Sequence, residues 1–284
     1  MTSASGDPQE AALDLRRATA AKGSDSVEEG TVVEAVDRAL KLLTALGDAG
    51  PAGASLAELA APLGINKATA HRALSTMRLR GFALQDHEGG HYRLGPAAFD
   101  LADRAYSPAS LAQALHPALV ALSGAAEELV HLGVLVGDHV LYVDKVEPAR
   151  AIRVWSSVGQ QVPVASTSMG RALLAARGVP DELLPGYLRH LPAGRAVAQD
   201  RLREAVTDAR RLGYAVEVGE NEPGVACIGT AVMHGSTAIA ALSITAPTTR
   251  MTTRRQRQLA GLIVSEVTPL LPPGLALMAA LADG

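Results

Sequence analysis

The chain has 284 residues, 48% hydrophobic and only 3% aromatic, so Leu, Val, Ile and Ala must fill its core; the length suits one small domain, one medium domain and a tail. The net charge of −3 excludes a uniformly basic nucleic-acid binder, and the single cysteine, Cys227, excludes an intrachain disulfide and fits a reducing compartment. The N-terminus lacks the apolar core of a signal peptide, and the longest apolar run read from the sequence, Leu275 to Leu281, falls far short of the roughly 18 residues of a spanning helix. A cytoplasmic protein with no membrane partner is expected.

Residues 1–30 hold six acidic against three basic residues and few large apolar ones, and read as a largely disordered tail. An amphipathic helix is predicted from Val32 to Leu46, with Val36, Ala39, Leu40 and Leu43 as its apolar stripe. Gly47, Gly50, Pro51 and Gly53 break it. Ser55 and Glu58 form a capping box that opens a second helix, Leu56 to Leu63, stopped by Gly64. Asn66 caps a third helix, Lys67 to Arg80, ended by Gly81. Its predicted core stripe is Ala70, Ala73, Leu74 and Met77; Lys67, His71, Ser75 and Arg78 lie opposite, flanked by Thr69 and Arg72.

Two short helices around a tight turn, the second presenting cations, make the helix-turn-helix pattern. From Leu59 to Gln85 the only charged residues are Lys67, Arg72, Arg78 and Arg80, a local basic surface of the kind a DNA backbone attracts. Taken alone, that run equally suits a solvated helix face. Residues 82–85 and 91–94 then read as a wing hairpin whose tip carries Asp86 and Glu88, which makes His91 and Arg93 better contact candidates than the tip.

Residues 97–125 are helical by period, with Pro108 interrupting: a linker helix over 96–109, then the first helix of a new domain. A hairpin follows, Leu129 to Val136 and His139 to Val146, then a strand from Ile152 to Ser157. Ser166 or Ser168 caps a helix to Arg177; Asp181 to His190 and Asp200 to Leu212 are further helices. Cys227 to Met233 and Ala238 to Thr245 form a second hairpin, Thr252 to Leu271 a closing helix, and 273–284 a C-terminal tail. This order reads as α+β with a mainly antiparallel sheet flanked by helices. The eight histidines show no metal-ligand spacing, and CxxC, a GxxxxGK loop and a GxSxG elbow are all missing, so no catalytic residue, metal or cofactor is assigned.

Four stretches resemble the IclR family of bacterial transcriptional regulators across about residues 31–270. They are Val36-Asp37-Arg38-Ala39-Leu40; Leu59 through Arg72 with Tyr92-Arg93-Leu94-Gly95; Gly159, Pro163 and Gly170 through Ala175; and Gly213-Tyr214-Ala215 with Glu217, Glu220, Gly224 through Ile228 and Leu242 through Pro247. The resemblance implies a winged helix-turn-helix domain (31–95), a linker helix (96–109) and a GAF-like effector-binding and oligomerisation domain (110–272). It also implies homodimers or dimers of dimers on double-stranded, pseudo-palindromic operator DNA.

On this reading Lys67, Thr69, His71 and Arg72 meet DNA from the recognition helix, with Arg78 and Arg93 as further contacts and Arg80 as surface or backbone contact. Ser168, Met169 and Gly170 are expected to offer a helix N-terminus to a small-molecule effector, with Glu217, Cys227, Ser243 and Thr245 across the pocket. The expected effector is a small organic acid or catabolic metabolite. Cys227 reads equally as a small buried hydrophobe, Glu217 as a structural carboxylate, and Ser243 and Thr245 as a core edge. Arg153 and Trp155 share a strand face that suits either pocket or oligomer contact. Two rivals remain: an enzyme with a vestigial helix-turn-helix, separable by turnover assays, and a protein-interaction module, separable by the salt dependence of DNA binding.

Overall fold

A computed structural model describes residues 32–87, 90–149, 156–192 and 195–280. The N-terminal tail, the wing tip at Glu88, and Arg153 and Trp155 lie outside the described residues. The chain divides into two compact units, one ending at Arg104 and the other beginning at Ala105.

In the first unit, helix α1 (Glu34–Asp48) buries Leu42 and Leu46 and leaves Val36 53% and Leu40 59% exposed. The stripe expected at Val36, Ala39, Leu40 and Leu43 is therefore rotated: the core side runs through Ala39, Leu42, Leu43 and Leu46. The apolar arc of this helix is wider than the core it meets, so part of it is left on the surface. Helix α2 (Leu56–Ala60) opens on the expected capping box, Ser55 Oγ accepting the Glu58 N–H while the Glu58 carboxylate accepts the Ser55 N–H at 2.8 Å. In α3 (Lys67–Leu79) the Asn66 side chain accepts the Thr69 N–H at 2.8 Å, and Ala70, Leu74 and Met77 are buried. The wing is β1 (Ala83–Gln85) paired antiparallel with β2 (Tyr92–Leu94). Buried Tyr92 exchanges backbone hydrogen bonds with Ala54, which ties the wing to the turn before α2. At Gly95 a Cβ would stand 2.1 Å from the Gly81 carbonyl oxygen, so only glycine lets the chain leave the wing here.

The helix expected over 96–109 ends early, as α4 (Pro96–Ala105). Pro108 opens the next helix, α5 (Pro108–Ala126), at its first turn, where a missing N–H costs nothing, and Ser107 caps it through the Ser110 N–H. By length and composition α5 is apolar enough to cross a membrane, contrary to the sequence reading. Its apolar face is a core face: Leu111, Leu115, Ala118, Leu119 and Leu122 are buried against the sheet.

That sheet is antiparallel throughout. It comprises β3 (Leu129–Val136), β4 (His139–Val146), β5 (Gln161–Pro163), β6 (Ala215–Val218), β7 (Val225–His234), β8 (Thr237–Pro247) and β9 (Leu275–Leu277), in the order β5-β4-β3-β8-β7-β6 with β9 also on β7. Helices cover both faces. Val130, Leu132, Leu242 and Ile244 pack in one cluster with α5 and with α9 (Thr253–Leu262). Val140, Ala231 and Ala241 pack in the other with α6 (Ser168–Ala176) and α8 (Gln199–Leu212). Strand alternation thus sends neighbouring residues of β8 into opposite layers.

Several expectations need correction. Of the strand expected from Ile152 to Ser157, residues 152–155 lie outside the described residues and Ser156 and Ser157 are not in a strand; the next described strand after β4 is β5. Thr167, rather than Ser166 or Ser168, caps α6, accepting the Gly170 N–H at 3.1 Å. Residues 181–190 form a 3₁₀ turn, the short helix α7 (Leu184–Tyr187) and another 3₁₀ turn. The closing helix changes to π at Ile263–Val267 and to 3₁₀ at Thr268–Leu270. The segment read as a C-terminal tail contains β9, held because Leu275 and Leu277 pack on the cluster beneath β7.

Candidate DNA-binding surface and effector cavity

Helix α3 turns Lys67, His71 and Arg72 outward, all exposed. Ala68 and Ser75 share that arc; a rotation of about 100° per residue places them among the outward cations, although neither stood among the expected DNA contacts. Thr69 is half-buried, its amide spent on the Asn66 cap. Arg78 is exposed but donates to Gln85 Oε1 at 2.7 Å, and Gln85 in turn donates to the Gly90 carbonyl, so Arg78 braces the wing. Arg93 is paired with Asp86 across the wing. The cations left for an anionic partner on α3 are therefore concentrated at its first two turns. Beside them, α1 and α3 border an apolar trough of about 690 Å³, with Leu40, Leu43, Ala73, Met77 and Phe82 in its wall.

In the second unit a cavity of about 390 Å³ opens on the sheet face that carries α6. Cys227 and Thr245 line it, with His131, Tyr142, Ser166, Asn221 and residues 160–163. Ser156, Arg195 and Glu222 add further polar groups to the lining. Ser168, Met169, Gly170, Glu217 and Ser243 do not line it; all are buried. The reason is packing. A Cβ at Gly229 of β7 would lie 3.0 Å from Ser168 Oγ and 3.2 Å from the Met169 nitrogen, and a Cβ at Gly170 would lie 2.1 Å from the Val164 oxygen. The first turn of α6 packs closely onto the sheet and its preceding loop.

A polar row crosses the sheet behind the cavity. Glu217, Cys227 and Thr245 are cross-strand neighbours on β6, β7 and β8. Cys227 Sγ lies 3.2 Å from Thr245 Oγ1, which lies 3.3 Å from His131 Nδ1; His131 Nε2 lies 2.8 Å from Ser156 Oγ. Tyr142 stacks on the His131 ring at 4.6 Å. Burial, helped by Lys145, lowers the His131 pKa to about 4. Burial and then the Glu217 charge push the Cys227 thiol up, so it stays protonated and is no nucleophile at neutral pH. Burial also pushes up the Tyr142 phenol. The wall is consequently uncharged at these positions.

Glu217 holds the turn after β6 in place, since its Oε1 accepts the N–H groups of Asn221, at 2.9 Å, and Glu220. Its Oε2 is buried without a hydrogen-bond partner, and burial raises its pKa from 4.5 to about 7 against those bonds and Arg171. The folded protein thus holds this proton more tightly than the unfolded chain. Stability from this group is full below pH 4.5 and is lost as pH rises through about 7. His131 acts oppositely, its stability falling as pH drops from 6.5 toward about 4. Relative to the native protein, Glu217→Gln is expected to gain up to roughly 3 kcal/mol between pH 4.5 and pH 8, read from thermal unfolding across that range. A pH-independent difference would contradict this account.

A winged helix with an outward cationic recognition helix, joined to a domain enclosing a small polar cavity, defines a one-component transcriptional regulator. Residues 35–87 match the IclR helix-turn-helix domain, and residues 104–267 match the bacterial transcriptional regulator IclR C-terminal domain. The chain belongs to the IclR family. It is 32% identical over 245 residues to the regulator XynR of Escherichia coli K12, covering 82% of this chain and 96% of that one. It is 31% identical over 240 residues to the regulator Rv1719 of Mycobacterium tuberculosis, covering 83% and 90%. Among solved structures, an IclR-family regulator from Rhodococcus sp. matches at TM-score 0.64 and 26% identity, over 89% of this chain and 99% of that one. Another, from Silicibacter sp. TM1040, matches at TM-score 0.56 and 26% identity, over 84% and 98%. Among the described residues no group of three or more His, Cys, Asp or Glu is placed to hold a metal ion.

Proposed function

We propose that this regulator grips operator DNA in the cytoplasm through Lys67, His71 and Arg72, and that a small organic acid or catabolic metabolite in the 390 Å³ cavity changes its affinity for that DNA. The observation that carries the reading is the outward display of those three side chains on α3. Arg78 and Arg93 support the wing and reach DNA only by releasing Gln85 and Asp86, while Thr69 spends its backbone N–H on the Asn66 cap and keeps its hydroxyl for DNA. The protein works as a homodimer or dimer of dimers, with recognition helices in successive major grooves about 34 Å apart. Exposed Val36 and Leu40 on α1, beside the apolar trough, supply a surface for a second copy. The effector domain is a sensor and consumes nothing. Its ligand shifts DNA binding only by its difference in affinity for the two states.

Footprinting on DNA flanking the protein's own gene, with and without metabolite pools, tests this. The expected result is a protected pseudo-palindrome whose occupancy changes with a subset of pools. No protected site, or turnover of a metabolite by the purified protein, would overturn it.

A further inference from the structure

The trough between α1 and α3 lies where the N-terminal segment enters the fold. Its wall is apolar, through Leu40, Leu43, Ala73, Met77 and Phe82. Arg72 and Arg80 line it too, and both are exposed. Arg38 is the third arginine of the lining and is paired with Glu34; among the described residues no carboxylate belongs to the lining. The described chain begins at Val32, and Ala35 already lines the trough. The residues just before Val32 read Gly23-Ser24-Asp25-Ser26-Val27-Glu28-Glu29-Gly30-Thr31: three carboxylates, no cation, and Val27 between the acids. Val27 precedes Ala35 by eight residues, a reach of up to about 26 Å. Helix α3, with 13 residues, is about 20 Å long, so the segment reaches either arginine.

An apolar wall bordered by guanidinium groups is the chemical complement of a valine flanked by carboxylates. We propose that residues 25–29 fold back into this trough, Val27 on its apolar wall and Asp25, Glu28 and Glu29 against Arg72 and Arg80, and that they compete with DNA for α3. DNA has to displace the segment before it can reach Arg72. Exposed ion pairs are weak singly, but the tether holds the acids at an effective concentration near millimolar, which lets them compete. Val36, outside the trough lining, stays available to a second copy. This inference rests on α3 being the DNA-reading surface, and adds an acidic brake to it.

The test compares the native full chain with one carrying Asp25→Asn, Glu28→Gln and Glu29→Gln together. DNA affinity is measured across a salt series, on the footprinted operator and on an unrelated duplex, and backbone amide NMR shifts are measured without DNA. The variant is expected to bind both DNAs about threefold to tenfold more tightly at low salt. Its affinity should also fall more steeply with salt, because DNA then displaces solution counterions where it displaced tethered carboxylates. Without DNA, the amides of Ala73, Thr76 and Arg80 should differ between the two proteins by the same amount at every protein concentration. Unchanged affinity and salt slope would overturn the proposal and leave the α3 reading intact, provided the native chain binds its operator. Tighter binding with no shift at those amides would reduce the acids to distant repulsion of DNA and overturn the docking. Shifts that grow with protein concentration in both proteins would put a second copy in the trough, and overturn it too. Should neither protein bind the operator, the α3 reading and the competition fall together.

Discussion

The protein carrying Lys67→Ala, His71→Ala and Arg72→Ala together is expected to bind its operator at least a hundredfold more weakly than the native chain. The three side chains project from the first two turns of α3, the part of a recognition helix that enters the major groove. A good base or phosphate contact contributes about 1–3 kcal/mol, so losing three removes about 3 kcal/mol at the least. Gel-shift titration at fixed salt measures the loss. The slope of binding against salt should also flatten, by close to 1 for each phosphate contact removed. All three residues are exposed, so the melting temperature of the variant should stay close to native. Near-native operator affinity would move the DNA-reading surface elsewhere.

The largest stability effect is expected at Arg171, which is completely buried in the effector domain. Its Nε donates to the Ala165 carbonyl at 2.9 Å and its Nη1 to the Val216 carbonyl at 3.1 Å, and Nη1 stands 2.7 Å from Glu220 Oε2. One side chain thus joins the loop before α6, strand β6 and the turn after it. Arg171→Ala leaves Glu220 without its closest cation and two carbonyls without donors, a loss of about 3–5 kcal/mol. Thermal unfolding should drop by roughly 10 °C for a domain of this size. Because Glu220 precedes Asn221 and Glu222, the same variant should loosen the cavity wall. Arg171→Lys keeps a charge for Glu220 but lacks the planar fork that serves both carbonyls, and should recover only part of the loss. A change under about 1 kcal/mol would mean that Arg171 is not the joint described here.

How far the sequence was legible follows from how local each signal is. The Ser55 capping box, the Asn66 cap and the hairpin from Leu129 to Val146 are each written within a few residues, and the fold uses them as expected. The family signature and the α+β sheet were equally readable. Strands β5, β6 and β9 have three or four residues each, too few for alternation to show, and β9 depends on a partner, β7, more than forty residues away in the chain. The face of α1 was misread because its apolar arc exceeds its core contact, so periodicity alone could not say which part is covered. The effector cavity is the least local feature. Ser168, Met169 and Gly170 have the local look of an anion site, yet Gly229, distant in sequence, gives them a strand to pack on. The cavity is assembled from five strands and three separate loops, with His131, Arg195 and Glu222 brought together only by sheet topology.

Dimethyl sulfate protection of guanine N7 on the operator tests the central claim most directly, because that atom lies in the major groove. The account predicts protected guanines in two major grooves about one helical turn apart. It also predicts that Arg72→Ala or Lys67→Ala releases the same guanine in each half-site. Specific binding that leaves every guanine N7 reactive, or a protection pattern untouched by either substitution, would contradict it.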